Sequence, residues 1–453
     1  MKIRSQMFSF VIVGIVQLFS THAWADSIQA YFNHNKNNSY TDPYYQRTRL
    51  GDNLEKVLLD AIDQAQKTIS IAVYELDLPL VAKALVKKNK LGLQINVVVD
   101  NSNSKVWAQL GPEEIDRLNF HSLRKYNGFV AFADTNKDGQ VSLAEQVQAD
   151  SLLILKEGGI NWIDDTADGG KGTGLMHHKM MIIDDQILIT GSANFTKSCV
   201  HGDFLSPESK GNANSLLRIE NKQIINHFQN EFNEMWLDHR FGVKKSFRGS
   251  QIFKVNGIAV AVQFSPTTKK KNWNESTNGL IAKQLAGAKY NSDLALFVFS
   301  EQKIVDALKS ANDQGMKNRT LIEPEFATKF DSELLDILGV QLKNSKCQYE
   351  VNNQPWSPAN LSAGYPDLDI GDVLHHKFAV IDQEKVIVGS HNWSDAANTQ
   401  NDEALLVIQD PLLANQYTQE FETIYAKATL GISPFIAKKI SDQETACALR
   451  SVN

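Results

Sequence analysis

One stretch of this chain occurs twice, and that constrains the fold more than any other feature. The first copy reads HHKMMIID over 177–184, then GSAN over 191–194. The second reads HHKFAVID over 375–382, then GSHN over 389–392. Eight positions recur at one constant displacement of 198 (375 − 177 and 392 − 194), too many for coincidence. A repeat on this scale implies two copies of one folding unit that bury a surface against each other. Weaker blocks recur at shifted offsets. AQKTISIAVY (65–74) and AKYNSDLALFVF (288–299) both read as a helix end feeding a buried strand. NANSLL (212–217) answers NDEALL (401–406), and helical FQNEFNEMW (228–236) answers YTQEFETIY (417–425). Each half therefore runs strand, helix, strand, a hairpin carrying the motif, a further strand and a closing helix, which is an α/β pattern.

The motif has a readable local geometry. Two apolar runs, 179–183 and 187–190, flank Asp184-Asp185-Gln186, which predicts a β-hairpin centred near residue 185. Paired residues then sum to about 370, so His177 faces residue 193, with Ser192 and Asn194 on either side. His177 and Lys179 share one face. The same register puts Ser390 and Asn392 beside His375 and Lys377. One copy supplies an imidazole, an ammonium, a hydroxyl and a carboxamide. Two copies face to face supply a pair of each around one centre. That set suits displacement at phosphorus, with one imidazole attacking, the other protonating the leaving oxygen and the remaining donors holding the non-bridging oxygens. The lysines supply the positive charge, so no catalytic cofactor is expected.

The duplicated HxK(x)4D motif followed by GSxN resembles the signature of the phospholipase D superfamily, over roughly residues 30–430. The resemblance implies two pseudo-twofold α/β domains, each a mixed sheet flanked by helices, with one active site at their interface. It also implies a phosphohistidine intermediate and counts Asp184 and Asp382 with the catalytic set, in structural and electrostatic parts. Ser192, Asn194, Ser390 and Asn392 become phosphate-binding residues. In the family, an acidic or amide residue downstream of GSxN in one half orients the catalytic histidine of the other. Here the second half offers Glu403 and the first half Asn214, so Glu403 is expected to support His177, the nucleophile, and Asn214 to support His375, the general acid. His178 and His376 receive no role.

Tyr74 to His177 spans 103 residues and Phe299 to His375 spans 76, so the first half carries about 27 more. The excess contains DTNKDGQVSLAE (134–145), which resembles an EF-hand loop: Asp134, Asn136, Asp138, Gln140 (through its carbonyl), Ser142 and Glu145 supply oxygens around a glycine turn. A single loop of this kind suggests a structural calcium ion. GFVAFA (128–133) reads as a poor incoming helix, whereas Ser142 onward reads as an outgoing one.

The expected domain plan is a signal peptide at 1–25, an N-terminal unit at 26–245 with its insertion at about 120–150, a C-terminal unit at 255–430 and a tail at 431–453. Lys2 and Arg4, an apolar run and Ala23-Trp24-Ala25 form the three parts of a secretory leader, which implies a secreted or periplasmic protein. Of three cysteines, Cys347 and Cys447 can pair in such a compartment and leave Cys199 over; three free thiols fit equally well. With 42% hydrophobic and 22% charged residues in 453, the chain can bury a large core, which excludes a disordered or coiled-coil protein. The net charge is −6, or −8 once Lys2 and Arg4 are removed. That weakly favours a phospholipid substrate met at a membrane surface, although Lys244-Lys245, Arg248 and Lys269-Lys270-Lys271 leave a nuclease as an alternative. A phosphatidyltransferase is a second alternative. Two intact motifs argue against a non-catalytic scaffold, and the internal pairing suggests a monomer.

Overall fold

The motif strands of each half carry continuous apolar runs, Met180–Ile183 and Ile187–Ile189 in the first and Phe378–Ile381 and Val386–Val388 in the second, so neither half can place them in a sheet with a wet face. In the computed structural model, which describes residues 26–172, 174–202, 206 and 208–451, Lys179–Ile183 and Ile187–Gly191 are buried throughout. The expected leader, 1–25, lies outside the described residues.

Each half builds one mixed sheet. The first runs Ser27–Phe32, Ser215–Glu220, Ile187–Gly191, Lys179–Ile183, Thr68–Val73, Gln94–Val99 and Trp162–Asp164 across its width. The second runs Ile258–Ser265, Glu403–Ile408, Lys385–Gly389, Lys377–Ile381, Asn291–Leu296, Lys317–Ile322 and Ala363–Tyr365 in the same order, with Gln251–Val255 and Thr429–Leu430 added at its edges. In both, the first four pairings are antiparallel and the last two parallel.

Alternating strand residues divide the core. Met181 and Ile183 face outward with Leu58, Val81 and Leu85 of the helices Leu54–Gln64 and Pro79–Lys90. Met180 and Ile182 face inward, into a cluster shared with Phe228 and Phe232 of Lys222–Trp236, Tyr417 and Phe421 of Pro411–Tyr425, and Phe378 and Val380 of the second sheet. The two closing helices thus lie between the sheets, and the halves share one core. The C-terminal helix Pro434–Ser451 buries Ile436 against the second half's outer face and is joined to the body by a Cys347–Cys447 disulfide; Cys199 is free and buried.

The insertion differs from expectation on its incoming side. Phe120–Ala133 is a continuous helix, capped by Asn119. Phe129 and Ala133 gain burial against Ala149, with Trp107 and Val141 beside them, and that packing overrides the weak local propensity of a stretch containing Gly128.

Candidate active site at the interface of the halves

The hairpins form in the expected register: Met180 faces Thr190 and Ile183 faces Ile187. Asp184 and Asp185 take φ of 53° and 54°, and Asp382 and Gln383 take 54° and 55°, the two-residue turn that matches strand twist. The glycine that opens each GSxN has a packing reason. A Cβ at Gly191 would run into the Ser215 carbonyl, and one at Gly389 into that of Ala404.

Just before each histidine the chain crosses to the other half. Met176 bridges to Asp402 and Ala213 to Leu374. The His177 amide donates to the Asp402 carbonyl, and the His375 amide to that of Ala213, both at 3.0 Å. Asn401 Oδ1 accepts from Leu175 N, and Asn212 Oδ1 accepts from Val373 N, both at 3.1 Å. This reciprocal clasp brings the two motifs to one place.

There, His177 Nδ1 donates to Glu403 Oε2 at 2.8 Å, and His375 Nδ1 donates to Asn214 Oδ1 at 2.9 Å. Asn214 is oriented by its own Nδ2, which donates to the carbonyls of Cys199 and Asn212. With Nδ1 engaged, Nε2 is the nitrogen each ring can offer to a substrate. Lys179 Nζ donates to the His177 carbonyl at 2.8 Å, and Lys377 Nζ to that of His375 at 2.7 Å. Burial, and after it the two ammoniums, hold both imidazoles well below their ordinary range, each lysine acting across the interface as well as within its own half. Burial likewise pushes Lys179 down to about 7, lowers Lys377 and raises Glu403. Two buried lysines side by side, with one carboxylate between two halves, await an anion. The Oδ1 atoms of Asn194 and Asn392 are buried without a hydrogen-bond partner; an anion would take its hydrogen bond from the Nδ2 of each carboxamide.

The fold gives the expected aspartates and serines structural contacts. Asp184 and Asp382 lie at the hairpin tips, about 20 Å along the strand from their histidines at about 3.3 Å per residue. Asp184 accepts from the amides of Gln66, Lys67 and Thr68, and Asp382 from those of Lys289, Tyr290 and Asn291. Burial works against the charge on Asp382, yet those amides hold its pKa below normal. These aspartates fasten the hairpin to the preceding helix–strand junction and take no place at the reacting centre. The serines also stand behind it. Ser192 Oγ donates to Asn214 Oδ1 and accepts from Ser215 N, while Ser390 Oγ accepts from Ala404 N. They steady the histidine partners and do not face a phosphate.

Several residues at the site carry no expected role. Tyr74 and Phe297 each set a ring edge-on to the histidine, with centroids 5.1 and 4.9 Å away. Their amides donate to the carbonyls of His178 and His376, so Tyr74 corresponds to Phe297 and not to Phe299. His178 Nε2 meets Glu231, and His376 Nε2 meets Glu420, both at 3.0 Å. A doubled histidine and a glutamate at the fourth position of FQNEF and YTQEF recur in both halves, which is the signal that finds these pairs.

The EF-hand-like loop is a tight turn held by its own hydrogen bonds. Lys137 and Gly139 take φ of 61° and 80°, Asp134 accepts from the amides of Asp138 and Gly139, and Gln140 N donates to Asp138 Oδ1. Ser142 caps Leu143–Ala149 with Glu145 in a reciprocal capping box. Asn136 Nδ2 donates to Asp138, and the Glu145 carboxylate accepts from Thr135, Asn136 and Ser142. Among the described residues no three His, Cys, Asp or Glu side chains converge as a metal site would require. The donor types and turn suit calcium; the side chains are hydrogen-bonded to the loop itself.

The family profile described as "Cardiolipin synthase, PLD-like domain" matches residues 58–236 and 281–425. Mouse mitochondrial cardiolipin hydrolase is 26% identical over 154 residues, 34% of this chain and 59% of that protein. A protein named phospholipase D from Rickettsia conorii is 27% identical over 141 residues, 31% of this chain and 60% of that protein. The chain thus spans about three fifths of the length of these curated relatives. Among solved structures, phosphatidylserine synthase of Haemophilus influenzae superposes with a TM-score of 0.51 at 12% identity, covering 83% of this chain and 85% of its own, a likeness of fold. With a profile matching both halves and both motifs meeting at one centre, the chain belongs to the phospholipase D superfamily.

Proposed function

We propose that this protein is an exported phospholipase D-type phosphodiesterase that removes phospholipid head groups through a phosphohistidine on His177, with His375 as general acid. The observation that carries the reading is the unequal pair of histidine partners. Glu403, a carboxylate, stabilises the cationic ring that forms when His177 Nε2 bonds to phosphorus; Asn214 offers His375 only a neutral carbonyl. The P–O bond to the head group breaks as His375 Nε2 gives its proton to the leaving oxygen. Water then attacks phosphorus, gives a proton back to His375, and releases His177 and phosphatidic acid. Lys179, Lys377, Asn194 and Asn392 hold the non-bridging oxygens, and the bound anion offsets the lysine charge so that His375 can carry its proton.

The linker cations lend the nuclease alternative little support, while Lys269, Lys270 and Lys271 stand exposed. Lys245 is buried between Glu231 and Asp402, Arg248 pairs with Glu231 and Glu234, and Lys244 pairs with Asp168. These cations knit the inter-half linker into the seam and present little charge to a nucleic acid. Export is supported by the leader-like N-terminus and by the Cys347–Cys447 disulfide. Among the described residues no helix is long and apolar enough to cross a membrane, which agrees with a transient encounter with a lipid surface, and the internal pairing favours a monomer. Calcium, held by Asp134, Asn136, Asp138, Gln140, Ser142 and Glu145, is proposed as a structural ion; binding it requires Glu145 to exchange loop hydrogen bonds for the metal.

The test offers the purified mature protein vesicles of phosphatidylcholine, phosphatidylglycerol or cardiolipin, and single- and double-stranded DNA. Phosphatidic acid release with intact DNA is expected; nicked DNA without lipid turnover overturns the lipid reading. Glycerol added to the vesicles distinguishes hydrolysis from transfer by the product formed.

A further inference from the structure

The insertion helix Phe120–Ala133 does not lie loose on the surface. Together with the first half's body it encloses a cavity of about 350 Å³, within the usual range of small-ligand pockets. The cavity opens beside the catalytic centre, as four lining residues show. Glu75 follows Tyr74, Thr196 lies two residues beyond Asn194, Asn212 lies two before Asn214, and Val373 lies two before His375. Steps of one or two residues span at most about 7 Å.

Its lining combines aromatic surface with ionic side chains, Arg124 and His121 included. Trp107, Phe129 and Phe132 supply aromatic surface. The ionic groups on the floor are paired: Lys125 with Glu75 at 2.8 Å, and Lys197 with Asp77 while its ammonium sits 4.2 Å from the Phe132 ring centroid. A phosphate has a better place between Lys179 and Lys377. An uncharged apolar arm of the same diester has its better place here. The other half lacks the insertion, so the cavity has no pseudo-twofold counterpart and can tell one ester arm from the other.

We infer that this cavity, walled by Trp107, Phe129 and Phe132, is a specificity subsite that receives the hydrocarbon arm of the phosphodiester cleaved at His177. This rests on the phospholipid reading, and the experiment separates the two. Calorimetry with butyl phosphate and octyl phosphate, each below its micelle concentration, measures the chain contribution without turnover. Octyl phosphate should bind the native protein about tenfold or more tightly than butyl phosphate, since each buried methylene is worth roughly a factor of four. Ala131→Trp, which fills the cavity from an exposed position, should narrow the ratio to about threefold or less and leave butyl phosphate unchanged. Phe129→Ala, which strips a wall, should narrow it too, and melting curves report whether the insertion still folds. A native protein indifferent to chain length, or a preference that survives Ala131→Trp, overturns the subsite. If adenosine monophosphate outbinds octyl phosphate and alone is lost in Ala131→Trp, the cavity holds a base, and the inference also falls. Vesicles left uncleaved by a protein that keeps the alkyl preference overturn the phospholipase activity and leave the subsite standing.

Discussion

The two halves are alike wherever the scaffold is concerned and unlike wherever chemistry is. They share a seven-strand order, a hairpin turn, a lysine donating to the preceding histidine's carbonyl and a histidine–glutamate pair behind the sheet. They part at the partner of the catalytic ring, Glu403 against Asn214, and at the insertion. Even the rear pairs diverge. Burial works against the charge on Glu231, but Lys245 and Arg248 hold it ionised, whereas burial raises Glu420 to about 7. The lesson is physical. A twofold frame positions two identical groups, and here their hydrogen-bond partners, Glu403 and Asn214, break that symmetry one step beyond the rings.

The largest expected effect comes from removing the nucleophile. His177→Asn should lower kcat about 10⁴-fold or more and abolish radiolabelled phosphoenzyme, while His375→Asn should still trap label from a substrate with a good leaving group. Label on the His177→Asn variant breaks the assignment. Next come the partners. Glu403→Gln should cost about 10–100-fold in kcat and Asn214→Ala less; the double exchange Glu403→Gln with Asn214→Asp should move trapped label toward His375, and label that stays on His177 shows that the partners do not set the roles.

The pH profile is a smaller, sharper test. A ring whose pKa is held low stays neutral until the pH falls well below 6.5, so the acid limb of kcat/KM should lie below that value. The proposed acid, His375, is held low by burial and the same lysines, so in the free protein its loss of a proton sets the alkaline limb, ahead of Lys179, which burial pushes down to about 7. An acid limb above 6.5 in the free protein contradicts the buried, lysine-flanked ring. Smaller again, Asp184→Asn and Asp382→Asn should each cost about 1–2 kcal/mol of stability by denaturant titration, by similar amounts, with kcat nearly intact; a large kcat loss returns these residues to the reacting centre. Smallest is calcium. Millimolar calcium should raise the melting temperature by about 1–3 °C, and Glu145→Gln should erase that rise; a full shift in the variant removes the loop as its cause.

What could be read from the chain follows from the range of each interaction. The hairpin register was legible because strand periodicity and a tight turn are local, and the His177–Glu403 and His375–Asn214 pairings were what the family resemblance implies once NANSLL is aligned with NDEALL. The distance of the hairpin-tip aspartates from the histidines is not legible in the motif, because it lists residues in a line and a strand carries its two ends far apart. Lys245 and Arg248 looked like free charge because Glu231 and Asp402 reach them only through the fold. GFVAFA (128–133) looked unfit for a helix because its stabilising neighbours, Trp107 and Ala149, lie outside it.

The reciprocal clasp has an evolutionary consequence. Each histidine is oriented by a residue of the opposite half, so one half alone carries an imidazole with no partner and is inert until it meets a second copy. When two identical chains associate about a twofold axis, every substitution is made on both sides at once. Fusing the copies into one chain removes that constraint: Asn214 can drift from its counterpart Glu403, and an insertion can enter beside one histidine without entering beside the other. Covalent linkage thereby makes the site heritable as two separate designs.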